Sequence, residues 1–168
     1  SRLDGRKSHK NVLMTIKNLL PKFPKLKYVS IGDGDEKSNL EKLSKELGLI
    51  DQVRFIYKTT EQEKIGLLEK SDVFVMPSVI YKKSVEGFGI VYVEAAQYGV
   101  PSIGGKVGGA SDAIINSETG LLCDGNNLDE IYQSLVDILQ NNKFKVLGKN
   151  AEENAKKFLW SEILKKYL

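Results

Sequence analysis

Two carboxylates flank a glycine-rich segment near the middle of the chain. Residues 85–101 read VEGFGIVYVEAAQYGVP, which places Glu86 before, and Glu94 after, the glycines Gly87 and Gly89. The apolar spacing predicts a helix that begins after these glycines, and a helix start exposes free amide N–H groups and the positive end of its dipole. Bare glycine backbone lets a phosphate approach such amides. The pattern indicates a phosphate site, and the alternative is a packed helix with solvated glutamates.

Two cations near the start of the chain extend this interpretation. Arg2 and Lys7 precede the first predicted helix. Arginine suits paired contacts to phosphate oxygens, whereas lysine acts as a mobile point charge. A carboxylate can accept hydrogen bonds from two neighbouring hydroxyls. A diphosphate held by the cations, with one carboxylate for a ribose and one for a sugar, describes a nucleotide-sugar.

The elements that must position these residues alternate between strand and helix. Strands are expected at 27–31, 53–57, 73–76, around 102–103 and at 120–123. Helices are expected at 11–20, 36–47, 61–70, 90–97, 128–140 and from 143 onward, with Trp160 as an anchor in the last. Thr60 and Glu63 are expected to form a capping box for the helix that begins at residue 61. Residues 1–3 resemble the tail of a further strand, which suggests a fragment. The fold class is therefore α/β, with a Rossmann-like parallel sheet and helices on both faces.

Ligands bind such sheets at the carboxyl ends of the strands. The loops expected there are 2–7, 32–35, 57–59, 77–89 and 104–109. They bring the glycine loops, the two cations and Glu86 to one edge of the sheet, with Glu94 just inside a helix. We therefore expect one ligand site at this edge.

Composition narrows the function classes. The 168 residues suffice for one domain, and the net charge of +3 is too weak and too dispersed to indicate nucleic acid. The single Cys123 excludes a disulfide framework or a zinc cluster built on cysteines. No stretch is long enough to span a bilayer and no signal peptide is present, so the cytoplasm is the default location. The lysine-rich faces read as solvated, with peripheral contact to the inner face of a membrane as the alternative.

Metal and histidine chemistry are disfavoured. Asp33-Gly34-Asp35 resembles an Asp-x-Asp manganese motif, but turn geometry and the dipole of a following helix favour aspartate there, so metal binding is not expected. His9 is the single histidine and has no second residue with which to form an acid–base catalytic pair or a metal site, so a packing or surface role is expected. No metal or other cofactor is expected, because a nucleotide-sugar would be the substrate.

The run EGFGIVYVE has seven residues between its glutamates and resembles the E-x7-E signature of retaining glycosyltransferases of the GT-B fold, in particular glycosyltransferase family 4. The segments SRLDGRKSHKNVL, SDVFVMPS, AAQYGVPSIG, VGGASDAI and TGLLC resemble further segments of that family in the same order. Within the family, VEGFGIVYVEAAQYGVP is similar to bacterial GDP-mannose-dependent lipid mannosyltransferases of the phosphatidylinositol mannoside type.

The resemblance implies roles for individual residues. Glu94 would hold the ribose and Glu86 would approach the donor sugar, while Arg2, Lys7 and the amides of Phe88 and Gly89 would bind the diphosphate. The catalytic set would be Glu86, Arg2 and Lys7, and the donor-binding set would be Gly87, Phe88, Gly89, Ile90, Glu94, Gly32, Tyr57, Lys58 and Thr59. Residues 57–59 would meet the base through backbone atoms.

Three departures from the family pattern stand out. Asp112 replaces the usual Glu after Gly-Gly, and Tyr57-Lys58 replaces the usual Gly after the second strand, which leaves the choice of base open. The insert 79–84 carries the basic run Tyr81–Lys83, which could touch the donor, the acceptor or neither.

The implied activity is hexosyl transfer with retention, with the departing phosphate taking the acceptor proton. Residues 1–168 resemble only the donor-binding domain, so we expect a partner N-terminal domain, a lipid or cell-envelope polysaccharide acceptor, and no transfer by this chain alone. Two alternatives stay open. They are a GT-B transferase, epimerase or synthase that uses a UDP-sugar, and a non-catalytic nucleotide-binding module. A dinucleotide dehydrogenase is disfavoured because no G-x-G-x-x-G follows the first strand.

Overall fold

Five short strands form the sheets of this α/β protein. The computed structural model describes residues 2–158. Its strands are β1 (Tyr28–Ile31), β2 (Val53–Ile56), β3 (Phe74–Met76), β4 (Ser102–Gly105) and β5 (Gly120–Cys123). All five lie where the apolar runs predicted them, to within two residues.

Helices connect and follow the strands. They are α1 (His9–Leu19), α2 (Lys37–Glu46), α3 (Glu61–Leu68), α4 (Ile90–Ala96), α5 (Ala110–Ala113), α6 (Leu128–Leu139) and α7 (Lys143–Ala155), with 3-10 turns at Gly5–Lys7, Gln140–Asn142 and Lys156–Phe158. The last predicted helix is confirmed up to its described end, and the expected anchor Trp160 lies outside the described residues.

Two helix boundaries follow from local sequence. Thr60 and Glu63 form the predicted capping box, because Glu63 N donates to Thr60 Oγ1 at 3.2 Å and Thr60 N donates to Glu63 Oε2 at 2.8 Å. Gly99, with a left-handed φ of 68°, closes the turn after α4. Its amide donates to Ala96 O and the next amide donates to Ala95 O, which is the Schellman pattern.

The strands form two parallel sheets rather than the single sheet we expected. β1 pairs with β2, and β3 pairs with β4, which pairs with β5. β1 and β3 are thus edge strands on either side of a cleft. Helices pack on these sheets, as the alternating pattern predicts.

The core consists of three apolar clusters. One lies between α6 and the β3–β5 sheet, around Ile103, Ile131 and Leu135. A second holds α4 and α7 against that sheet and includes Met76 and Tyr92. The third joins α1 and α2 to the small sheet, and it is built on Leu3, Leu13, Ile16, Leu40 and Leu49. The three clusters fix the carboxyl ends of the strands, where the loops meet.

Two local expectations were wrong, and one short helix was missed. Residues 2 and 3 are not part of a strand, although Leu3 is buried and its amide donates to Asp33 O at 3.0 Å. Gly104 and Gly105 belong to β4, so the glycine loop is shorter than 104–109. Helix α5 was not foreseen, because its four residues directly follow two glycines. Among residues 2–158, no helix is long and apolar enough to cross a membrane.

Candidate functional site

The N-terminal loop is held at the carboxyl ends of β1 and β3. Asp4 caps the short 3-10 turn, since its Oδ1 accepts from Arg6 N at 3.0 Å. Arg6 O accepts from Val79 N at 2.8 Å, which ties the loop to the segment after β3. This turn buries Lys7 and directs it into the site.

Lys7 and Glu86 form a buried ion pair. Lys7 Nζ donates to Glu86 Oε2, and the two side chains are only 7% and 13% exposed. Removing two charges from water is costly unless they meet each other, so this contact fixes both side chains. Two residues predicted from separate segments thus share one site. A lysine has three N–H donors, so Lys7 can contact a second anion while it keeps Glu86.

The segment that carries Glu86 rests on the second glycine loop. Gly109 N donates to Glu86 O at 3.1 Å, and Gly108 has a left-handed φ of 77°. A Cβ on Gly109 would lie 2.0 Å from Gly87 O, so only glycine permits this backbone contact. The two glycine loops therefore support each other.

The backbone at 87–89 is bare on one side. Within residues 2–158, the amides of Gly87, Phe88 and Gly89 donate to no carbonyl or side chain. A Cβ on Gly87 would meet nothing within 4 Å, whereas one on Gly89 would lie 2.5 Å from the Tyr92 ring. Gly89 therefore has a structural reason to be glycine, and Gly87 has none within the described protein. Open backbone beside Lys7 suits an anion.

Glu94 lies on α4 but points to a different partner. Its Oε2 lies 3.4 Å from Lys64 Nζ, and its side chain is 39% exposed. Lys64 also pairs with Glu61 at 2.9 Å, and this hydrogen bond is the main reason that the pKa of Lys64 is raised. No direct contact joins Glu94 to Glu86 in the described residues. The two glutamates thus serve separate parts of the edge.

Arg2 is brought to the same edge but not to Lys7. Its Nη2 lies 3.5 Å from Asp35 Oδ2, and both side chains are largely exposed. An exposed ion pair at this distance contributes little to the free energy of folding. Arg2 is therefore able to turn toward a ligand.

The loop after β2 is organised by neighbouring helices. Tyr57 donates its hydroxyl to Glu41, and Lys37 Nζ lies 3.5 Å from its ring centroid. Burial, and then the bond to Glu41, raise the pKa of Tyr57 to about 12. Thr59 Oγ1 lies 3.2 Å from Glu63 Oε2 and so joins the cap of α3.

The other residues of the expected donor-binding set lie in loops or at a helix start and contact only neighbouring elements or solvent. Gly32 N donates to Ile56 O at 2.9 Å, and its φ is 133°. Lys58 and Ile90 are exposed. Phe88 packs against Phe158, with ring centroids 5.4 Å apart.

Asp33 and His9, for which no metal-binding or catalytic role was expected, both make structural contacts. Asp33 Oδ1 accepts from Gly34 N at 2.9 Å, as turn geometry predicts. His9 is buried, its Nδ1 lies 3.0 Å from Tyr28 Oη, and burial lowers the pKa of His9 to about 4. The packing role expected for His9 agrees with this geometry. In the described part of the chain, no cluster of three or more metal-ligating side chains occurs.

Two residues of the site were missed from the sequence. Arg6 Nη1 donates to Val85 O at 3.1 Å and to Ser84 Oγ at 3.3 Å, so it holds the segment just before Glu86. Lys64 holds Glu94. Neither residue lies in a glycine-rich motif, and only the folded structure brings them to the site.

Parallel strands, a glycine-lined edge and a buried lysine–glutamate pair define an α/β protein with a candidate anion site at one edge of its sheets. The family model "Glycosyl transferases group 1" matches residues 1–158, and the chain belongs to this family.

Curated relatives cover the same region. The chain is 31% identical to the GDP-mannose-dependent alpha-(1-6)-phosphatidylinositol monomannoside mannosyltransferase of Mycolicibacterium smegmatis. The alignment of 141 residues covers 83% of this chain and 37% of that protein. It is also 28% identical to the D-inositol 3-phosphate glycosyltransferase of Corynebacterium jeikeium, in an alignment of 167 residues that covers 95% of this chain and 39% of that protein. The chain thus spans less than half the length of these relatives.

Solved structures share the fold. The sucrose-phosphate synthase of Thermosynechococcus elongatus has a TM-score of 0.84 and 26% identity, covering 99% of this chain and 42% of that one. The pneumococcal O-GlcNAc transferase, solved in complex with UDP and GlcNAc, has a TM-score of 0.86 and 22% identity. The match covers 99% of this chain and 33% of that one. The structural neighbours are GT-B glycosyltransferases, so the expected fold is confirmed.

Proposed function

We propose that this chain is the donor-binding domain of a retaining glycosyltransferase that transfers a hexosyl group, mannose from GDP-mannose, to a lipid or polysaccharide acceptor. Membership of the glycosyl transferases group 1 family supports the transferase class. Relatives named GDP-mannose-dependent mannosyltransferases, at 31% identity, support the donor.

The observation that carries the proposal is the buried Lys7–Glu86 pair beside the bare backbone of 87–89. A diphosphate on this backbone would accept from the amides of Phe88 and Gly89 and from a second N–H of Lys7. Glu86, held by the same lysine, would then face the sugar attached to that diphosphate. The pair thus links phosphate recognition to sugar recognition.

The other residues complete the donor site in this proposal. Arg2 exchanges its weak contact with Asp35 for the outer phosphate. Glu94 accepts from the ribose hydroxyls, and its 39% exposed carboxylate is accessible for this. Residues 57–59, at the end of β2, meet the base.

The reaction follows from this arrangement. The bond between the sugar's anomeric carbon and the donor phosphate oxygen breaks, and the acceptor oxygen bonds to the same face of that carbon. The acceptor proton passes to the departing phosphate oxygen. Lys7, Arg2 and the loop amides stabilise the negative charge that develops on the diphosphate. No metal ion is required for this charge balance.

A second domain belongs to the proposal. The chain spans 37% of the length of the mannosyltransferase it resembles, so an N-terminal domain of the same protein would supply the acceptor site. The isolated chain binds the donor and transfers nothing. The protein works in the cytoplasm, with peripheral contact to the inner face of a membrane if the acceptor is a lipid.

Calorimetric titration with GDP, UDP and ADP, followed by GDP-mannose and UDP-glucose, tests the donor. Tightest binding of GDP and GDP-mannose is expected, and Lys7→Met should abolish it. Lys42→Met removes an exposed lysine from a surface pair on α2 and is the matched control. Preference for UDP would reject the mannose donor but keep the transferase. Failure of all five to bind, with a folded chain, would contradict the donor site.

A UDP-sugar is the second candidate donor. Solved neighbours include the Anabaena Alr3699/HepE protein in complex with UDP-glucose, at a TM-score of 0.80 and 22% identity. Such likeness shows the fold alone, so the titration decides between the two donors.

A further inference from the structure

The insert after β3 forms a tight hairpin that has no part in the donor site proposed above. Tyr81 N donates to Ser84 O at 3.0 Å and Ser84 N donates to Tyr81 O at 2.8 Å, so Lys82 and Lys83 form a two-residue turn. Both lysines have left-handed φ angles, 47° and 65°, as a type I′ turn requires. Residues 80–85 are named the insert hairpin below.

The insert hairpin is fixed at both ends to the N-terminal loop. Val79 N donates to Arg6 O at 2.8 Å just before the hairpin begins. At the other end, Arg6 Nη1 donates to Ser84 Oγ at 3.3 Å and to Val85 O at 3.1 Å. One arginine thus holds the base of the hairpin, and the tip projects from the edge of the sheets that carries the donor site.

Exposed apolar side chains are concentrated on the insert hairpin and the segment after it. Among residues 2–158, nine large hydrophobic residues are exposed, and five of them lie within 80–90. These five are Ile80, Tyr81, Val85, Phe88 and Ile90. Single exposed apolar residues are ordinary on a protein surface, but a concentration of them in one short segment marks an interaction surface.

The tip of the insert hairpin is positively charged. Lys82 and Lys83 are exposed, and neither forms an ion pair with any residue that the structure describes. Lys82 Nζ lies 5.2 Å from the centroid of the Tyr81 ring, which keeps this charge next to the aromatic side chain. A type I′ turn favours Asn-Gly, so turn geometry alone does not explain two consecutive lysines.

The carboxylates of the segments that adjoin the hairpin do not balance this charge. Asp4 Oδ2 lies 3.5 Å from Arg6 Nη2, and Glu86 accepts from Lys7. Residues 80–85 themselves contain no acidic residue. The tip therefore combines aliphatic side chains, an aromatic ring and two cations that are free to meet an anionic partner.

This combination fits the surface of an anionic membrane. Phosphate headgroups attract lysines, tyrosine rings sit at the level of the headgroups, and aliphatic side chains enter the boundary with the acyl chains. Long lysine stems allow the charge to stay in the headgroups while apolar neighbours go deeper. A nucleic acid would match the lysines but leave the aliphatic side chains in water. A purely apolar protein surface would leave both lysines without a counter-charge.

We infer that the insert hairpin docks on an anionic lipid bilayer, with Lys82 and Lys83 among the headgroup phosphates and Ile80 in the adjoining acyl boundary. Since the hairpin leads directly into Glu86, docking holds the donor site beside the lipid surface and favours an acceptor that is itself a lipid. That consequence for the acceptor rests on the function proposed above. The docking itself requires no donor.

Vesicle flotation tests the role of the two lysines. The chain should bind vesicles of equal parts phosphatidylcholine and phosphatidylglycerol, but not vesicles of phosphatidylcholine alone. Lys82→Asn/Lys83→Gly gives the turn its favoured sequence, so the hairpin keeps its shape while it loses both charges. This variant should lower the partition coefficient about tenfold or more. Lys42→Gln/Lys45→Gln removes two exposed lysines from α2 and should lower it less than about twofold, because charges distant from the bilayer are screened.

A second pair of variants tests contact with the acyl boundary. Ile80 is 61% exposed on the insert hairpin, and Ile50 is 69% exposed after α2. Ile80→Ser should weaken binding to the anionic vesicles about fivefold or more, because it removes apolar surface that the bilayer buries. Ile50→Ser, which removes the same side chain elsewhere, should leave binding unchanged.

Several results would overturn the proposal. A folded chain that does not bind the anionic vesicles would do so, and so would equal losses in the hairpin variants and their controls. A dimer that Ile80→Ser dissociates, without any vesicle binding, would instead assign the hairpin to a second copy of the chain. Loss of GDP affinity in Lys82→Asn/Lys83→Gly would assign the two lysines to the donor.

The docking and the donor site are tested independently, since vesicle binding is measured without a nucleotide. A chain that binds anionic vesicles through the insert hairpin but binds no nucleotide would support the docking and reject the donor site. A chain that binds GDP but no vesicles would reject the docking and leave the donor site in place.

Discussion

Lys7 Nζ donates to Glu86 Oε2 across 79 positions of sequence, and both side chains are nearly inaccessible to water. The contact joins the N-terminal loop to the glycine-rich loop before α4. Neither residue can be replaced alone without leaving the other as an unpaired buried charge. The pair therefore has a structural role in addition to the role in donor binding that we propose for it.

The Lys7–Glu86 pair gives a first prediction that separates these two roles. Lys7→Met should lower the free energy of unfolding by about 3 kcal/mol, because it leaves Glu86 buried without its partner. The double variant Lys7→Met/Glu86→Gln should recover most of that loss, since both charges are then absent, yet it should not bind GDP-mannose. Chemical denaturation and calorimetry measure the two quantities. Recovered stability together with recovered binding would contradict a donor role for the pair.

The two glycines before α4 give a second prediction. Gly87→Ala should leave stability unchanged, because the new Cβ meets open space, but should weaken GDP binding about tenfold by blocking the approach of phosphate to the backbone. Gly89→Ala should destabilise the protein by about 1–3 kcal/mol, since residue 89 has a left-handed φ and the Cβ meets Tyr92. Thermal melting and titration of both variants check this. Unchanged GDP binding in a well-folded Gly87→Ala variant would place the phosphate elsewhere.

Sequence patterns predicted those parts of the fold that depend on neighbouring residues. The strand Gly120–Cys123 is an apolar run between turns, and the capping box of Thr60 and Glu63 needs only four consecutive residues. Such signals are local, so one sequence is sufficient to find them.

Contacts between distant segments could not be predicted in the same way. The spacing of Glu86 and Glu94 does not report the partner of either side chain: Glu94 pairs with Lys64, and that contact depends on where α3 lies relative to α4. The division into two sheets is likewise a matter of long-range packing, because a cleft separates β1 from β3 and the periodicity within either strand does not predict it.

Glu94 gives a third prediction. Glu94→Ala should change the free energy of unfolding by less than about 1 kcal/mol, because its pair with Lys64 is partly exposed. The same variant should lose most of its affinity for GDP if the carboxylate binds the ribose. Lys64→Met is the matched control, since it breaks the same pair but leaves the carboxylate in place. Equal loss of affinity in both variants would mean that the ion pair, rather than the carboxylate, supports binding.

His9 gives a prediction for the pH dependence of stability. Burial lowers its pKa to about 4 in the folded protein from 6.5 in the unfolded chain, so the unfolded state takes up the proton first as the pH falls. The stability linked to neutral His9 is therefore complete above pH 6.5 and is lost as the pH falls toward 4. Between pH 7 and 5 this loss amounts to about 2 kcal/mol.

Urea denaturation at pH 7 and 5 measures that loss, with His9→Gln as the comparison. The variant should be less stable at pH 7, because the packing beside Tyr28 is disturbed, but its stability should fall less between the two pH values. As His9 is the only histidine, its ring resonances report the folded pKa directly. A folded-state pKa near 6.5, or the same fall in stability for both proteins, would show that His9 is accessible to water.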